Sequence, residues 1–110
     1  MHNRAIRRGR IDILVTASDN LGTGLVIVEI KNTNWNATPE HRVPINLRRH
    51  VGQVWEYLDP LLDRVEAGEW SFVQGALLYP KRPADPERAA LLDVMADKRG
   101  IAIVYDEEMP

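Results

Sequence analysis

The chain has 110 residues, sized for a single domain (1–110), and its 45% hydrophobic and 27% charged composition is that of an ordinary globular protein with one modest core. There is no cysteine, which excludes disulfides and thiolate zinc sites, and no run of the roughly 18–20 apolar residues that span a bilayer, nor a signal-peptide core. A cytoplasmic address without a membrane partner is the expectation, and a net charge of −2 weighs against a large non-specific nucleic-acid surface.

Charge is unevenly spread. Arg4, Arg7, Arg8 and Arg10 crowd a basic arm (1–8 and just beyond), while Asp106, Glu107 and Glu108 form an acidic tail (106–110). The arm suits either phosphate contact through counterion release or a solvated, frayed terminus. A first strand is expected over about Arg10–Thr16 and a second over Leu25–Lys31, both dense in Val, Ile and Leu as in strands buried on both faces. Ser18–Gly24 is rich in turn formers and reads as a hairpin connection. Its Gly-x-Gly lacks the following Lys-Ser/Thr of a phosphate loop.

A long polar loop over 32–44 follows, carrying Trp35, His41 and Arg42. Trp35 is either a lid on the core edge or a contact for nucleic acid, and Arg42 is a candidate phosphate contact. The main helix is expected over about Asn46–Leu58, with Asn46 as N-cap and an apolar stripe of Leu47, Val51, Val54, Trp55 and Leu58. Arg49, Gln53 and Tyr57 recur at four-residue spacing along an adjoining face, and His50, near them, is read as a surface histidine. Asp59-Pro60 is expected to kink or restart the helix, which then ends at Gly68. Trp70–Tyr79 is a third strand. Asp85-Pro86 sets an N-cap and first helical residue for a helix to about Lys98, and Ile101–Tyr105 makes a final strand. The expected architecture is α/β, in the order β-β-α-β-α-β, with a mixed sheet of about four strands.

Asp12, Glu29 and Lys31 are charges placed where apolar strands should carry none. Alternate residues of a strand share a face, so Glu29 and Lys31 project side by side, and a hairpin brings Asp12 to the same edge. Paired carboxylates offer hard oxygen ligands for Mg²⁺, and an adjacent ammonium stabilises charge that develops on a phosphoryl group.

Asp12, followed after a turn by the strand end Val28-Glu29-Ile30-Lys31, resembles the catalytic core of the PD-(D/E)XK nuclease superfamily over about Arg10–Tyr57. Gln53-x-x-x-Tyr57 is similar to the Gln-x-x-x-Tyr element of its RecB-like branch. Gly9-Arg10-Ile11 stands before the Asp where the family often has Pro, and the helix that usually opens the fold is expected to be absent. The resemblance implies a restriction-endonuclease-like α/β/α sandwich less that helix, and a Mg²⁺- or Mn²⁺-dependent deoxyribonuclease. Asp12, Glu29 and the Ile30 carbonyl would hold metal, Lys31 would position water, and Gln53 would steady the site. Tyr57, Arg49, Arg42, Arg7, Arg8 and Arg10 would contact DNA. A sheet face left bare by the missing helix implies a homodimer. Two other readings stand beside this one: a catalytically degenerate nuclease-fold binding or assembly module, and a generic α/β interaction domain in which Glu29-Lys31 is a surface ion pair.

Overall fold

The computed structural model describes residues 13–19 and 22–110, with side chains from Gly22 onward. The fold is α/β. Strand β1 (Ile13–Asp19) runs antiparallel to β2 (Gly22–Ile30), in register from Ile13↔Val28 to Asp19↔Gly22. Helix α1 (Val43–Glu66) leads to β3 (Phe72–Tyr79), and α2 (Pro86–Asp97) to β4 (Ile101–Tyr105). β2, β3 and β4 are parallel neighbours in the spatial order β1-β2-β3-β4. The hairpin is tighter than its composition implies. Thr16–Asp19 pairs with Gly22–Leu25 although those segments lack an apolar pattern, because the backbone ladder continues where side chains give no signal.

Parallel neighbours need crossover connections, and right-handed crossovers that step in one direction across a sheet place their helices on one face. α1 and α2 accordingly pack on each other and share one core cluster with β2, β3 and β4. Among the described residues this is a two-layer arrangement, with no helix on the other face, so the three-layer sandwich expected from the resemblance is not formed by them. Ile27, Leu77 and Ile101 from the strands meet Leu47, Val51, Val54 and Leu58 from α1, and Leu92 and Ala96 from α2. Gly75 lies where α1 comes closest: a Cβ there would sit 2.6 Å from Val54 and 3.0 Å from Leu58.

α1 differs from its sequence reading at both ends. It starts at Val43, with Arg42 at the cap position and Pro44 in the first turn, where a missing N–H costs nothing. Asn46 is therefore inside the helix, and its Oδ1 accepts a hydrogen bond from Arg49 Nη2 at 2.9 Å. The helix also runs unbroken through Pro60 to Glu66. An interior proline costs about 3 kcal/mol. Here it falls on an exposed face, and the packing of Leu58 and Leu61 on the core holds both halves in one helix. α2 begins as expected, with Asp85 Oδ1 accepting from the Glu87 backbone N–H at 3.0 Å and Pro86 in the first turn.

The polar loop is a fixed structure. It folds into two short 3₁₀ turns, Trp35–Ala37 and Glu40–Arg42. Arg88 of α2 donates to the carbonyls of Trp35 and Thr38 at 2.6 and 2.8 Å, and Asn36 Oδ1 accepts from the Ala84 N–H at 2.8 Å. Trp35 is fully buried, which decides for the core over nucleic-acid contact. The acidic tail is also tied down. Glu108 accepts two hydrogen bonds from Arg82, at 2.6 and 2.8 Å, while the Arg82 guanidinium lies 4.7 Å from the Tyr105 ring centroid.

Candidate functional site

The carboxyl ends of parallel strands are where open α/β sheets expose ligand sites, because the chain turns away there and leaves polar groups at a crevice. Glu29 is the penultimate residue of β2. Its cross-strand partner is the buried Leu77, so its side chain enters the helix-covered face alongside Ile27. Glu29 is 7% exposed, and the core has no other buried acid among the described residues. Lys31, on the same side just past the strand end, places Nζ 3.1 Å from Glu29 Oε1, and the two side chains are 18% and 9% exposed. Lys31 Nζ also donates a short hydrogen bond to Gln53 Oε1 of α1. Among the described residues, Glu29 Oε2 is buried without a hydrogen-bond partner. A half-satisfied buried carboxylate is costly. One oxygen is fixed by an ammonium, and the other retains an unused lone-pair valence.

A second pair closes the same end of the sheet. His50 lies one turn before Gln53 on α1, and its Nδ1 is 2.8 Å from the hydroxyl of Tyr79, the last residue of β3. Burial, and then the charges of Lys31 and Arg49, hold the imidazole down at about 4, so it is neutral near pH 7. Burial, followed by the neighbouring Tyr105 and Glu29, pushes the Tyr79 hydroxyl upward. Trp35 packs edge-on to Tyr79 at 5.0 Å and tilted against His50 at 6.0 Å, walling this end of the site with aromatic surface.

The sequence-expected residues divide accordingly. Glu29, Lys31 and Gln53 are brought together. Tyr57 follows one turn later and packs partly buried against the core. Ile30 ends β2 with 48% of its surface exposed. Arg49 and Arg42 are exposed, with Arg42 in the second 3₁₀ turn. Asp12, Arg7, Arg8 and Arg10 lie outside the described residues. The described ladder ends at Ile13↔Val28; Glu29 follows Val28, and Asp12 precedes Ile13 in the chain. Among the described residues no cluster of three or more His, Asp or Glu side chains gathers for a metal.

His50 is half-buried and bonded to Tyr79, in place of the surface histidine expected from the sequence. Its helical signal was its spacing of three residues from Gln53, which puts both on one flank of α1. Tyr79 gave no comparable signal, because its place depends on the register of β3. Comparison with protein-family models, curated proteins and solved structures found no match to this chain. No helix among the described residues is long and apolar enough to cross a membrane.

Proposed function

We propose that the chain is a metal-dependent deoxyribonuclease of the PD-(D/E)XK type, built on a restriction-endonuclease-like core. The observation that carries this reading is the buried Glu29 carboxylate, with Oε1 held by Lys31 and Oε2 without a partner among the described residues. Support comes also from order: hairpin, Glu-x-Lys strand end, helix with Gln53, then a parallel strand. An orphaned anionic oxygen at a strand end fits a hard cation such as Mg²⁺ or Mn²⁺, which takes one or two carboxylates and completes its shell with waters and substrate phosphate. Glu29, Asp12 and the Ile30 carbonyl would hold it, and when bound it supplies a more acidic water and neutralises charge at phosphorus.

This chain's own residues do the positioning. Lys31 is fixed from two sides, by Glu29 and Gln53, so its ammonium is preorganised to donate to the attacking water or to a non-bridging phosphate oxygen. Gln53 holds that ammonium through a neutral amide without adding charge. Water adds at phosphorus and gives up a proton to solvent, the bond to the leaving sugar oxygen breaks, and that oxygen takes a proton from solvent. Tyr57, Arg49, Arg42 and the N-terminal Arg7, Arg8 and Arg10 guide the DNA. A homodimer belongs to the same reading, formed through the face of the sheet that carries no helix among the described residues, where Ile30 is exposed. A monomer by light scattering would sink that part.

The test is incubation with labelled single-stranded, duplex and four-way-junction DNA in Mg²⁺, Mn²⁺ or EDTA, beside Glu29→Ala and Lys31→Ala, with metal uptake followed by calorimetry. Metal-dependent cutting that both variants lose supports the assignment. A second reading is a nuclease-fold binding module without chemistry. DNA binding without cutting or metal uptake would select it.

A further inference from the structure

On the flank of α1 turned away from Gln53, the two helices enclose a groove of about 150 Å³ lined by Leu47, Arg48, Val51, Met95, Lys98 and Arg99. We propose that this groove binds an acidic peptide segment through one large apolar side chain. The proposal stands apart from the nuclease reading, since His50 and Gln53 face the other way, toward Tyr79 and Lys31.

Size and lining define the occupant. A volume of about 150 Å³ is that of a cavity holding one benzene-sized ring, and well below the ~300–1,000 Å³ of sites for whole small molecules. The floor is Leu47, Val51 and Met95, with the first two fully or almost fully buried. Leu47 and Val51 are covered by their neighbours, so the reachable apolar surface is that of the half-buried Met95, whose unbranched thioether adapts to the shape placed on it. It supplies neither an aromatic face for stacking nor an amide or carboxylate to read a base edge, so a nucleobase gains little there.

The lips are cationic: Arg48 on α1, and Lys98 and Arg99 where α2 ends. Among the described residues none of the three side chains is joined to an acid by an ion pair. Lys98 and Arg99 have a local reason for their place, since the C-terminal end of a helix dipole favours cations. Arg48 does not, because it stands in the N-terminal part of α1. Of the acids of α2, Asp93 and Asp97 line a separate groove with Ile101 and Ile103, and Glu87 stands in the first turn, at the other end of the helix from Lys98. The α1–α2 groove therefore presents positive charge alone around an apolar floor, the complement of an acidic segment with one apolar anchor.

The experiment titrates ¹⁵N-labelled protein with the capped peptide Asp-Asp-Phe-Asp-Asp, the same peptide with Ala for Phe, and an oligothymidylate, at about 150 mM salt, where long-range attraction is screened. Saturable shifts of the Val51, Met95 and Lys98 amides by the Phe peptide are expected. Binding should be at least tenfold weaker for the Ala peptide, and tenfold weaker in Arg48→Glu, an exposed position whose variant is checked for native circular dichroism. Absence of shifts at these amides overturns the proposal. Equal binding of the Ala peptide overturns the apolar anchor, and tighter binding of the oligonucleotide at the same amides replaces the peptide by nucleic acid.

Discussion

The helix-covered face of the sheet has two regions a few residues apart, built on opposite physical terms. In the middle, Ile27 and Ile101 flank Gly75 beneath Val54 and Leu58, and close packing gives stability. At the carboxyl end of β2 and β3 the same strands and the same helix bring together Glu29, Lys31, Gln53, His50 and Tyr79. That end buries a charge pair whose desolvation offsets its attraction, with one oxygen left unsatisfied. A fold selected for stability alone would continue the apolar pattern to the end of the strand. The contrast is what singles out the polar end as the candidate site.

The largest effect is expected from breaking the charged pair on one side only. Lys31→Ala leaves a buried, uncompensated carboxylate and should cost about 3–5 kcal/mol in urea unfolding. Ile27→Ala, in the apolar region, should cost a similar ~2–5 kcal/mol through a cavity. The two separate on rescue. Glu29→Leu combined with Lys31→Met should unfold within about 1 kcal/mol of the parent, or be more stable, while metal uptake is lost. If the double variant is as unstable as Lys31→Ala, the pair contributes to stability in its own right and the contrast fails.

A smaller effect sharpens the comparison by pH. His50 titrates near 4 in the folded protein against about 6.5 in an unfolded chain. Between those values the unfolded state binds more protons, so the contribution of His50 is fully present above about pH 6.5 and is lost as pH falls through about 4. The difference between the urea midpoints of the parent and His50→Gln should therefore shrink across that window. A constant difference would mean that His50 is not held neutral. The smallest change is expected from Arg49→Ala, whose exposed side chain, among the described residues, bonds Asn46 of its own helix. Its unfolding midpoint should not move measurably, while DNA affinity should fall if Arg49 contacts phosphate.

How much was legible follows from the range of the forces involved. The strands showed as Val, Ile and Leu runs, the second helix as Asp85-Pro86, and the face of α1 as the spacing of Leu47, Val51, Val54 and Leu58, all local signals. The pairing of Glu29 with Lys31 was also legible, because strand alternation fixes it, whereas Gln53 was singled out by its resemblance to the Gln-x-x-x-Tyr element. What failed locally was decided by distant chain. Pro60 should stop a helix on propensity, but burial of Leu58 and Leu61 overrides it. Trp35 was ambiguous until Arg88, 53 positions away, fixed the loop that carries it. His50 looked like a surface residue because its partner Tyr79 is 29 positions away on a strand whose register the sequence does not encode.

The parallel pairing of β2 with β3 also sets a schedule for folding. The β1–β2 hairpin needs only near neighbours and can close within microseconds. The Lys31–Gln53 bond spans 22 positions, and the His50–Tyr79 bond 29, each tying the end of a strand to α1. Loop-closure entropy is met before such contacts reward it, so these are late events in folding. A chain emerging from a ribosome carries Glu29 and Lys31 long before Tyr79 exists to complete their surroundings. The polar cluster thus matures last, and any reactivity housed there stays silent until β3 has docked.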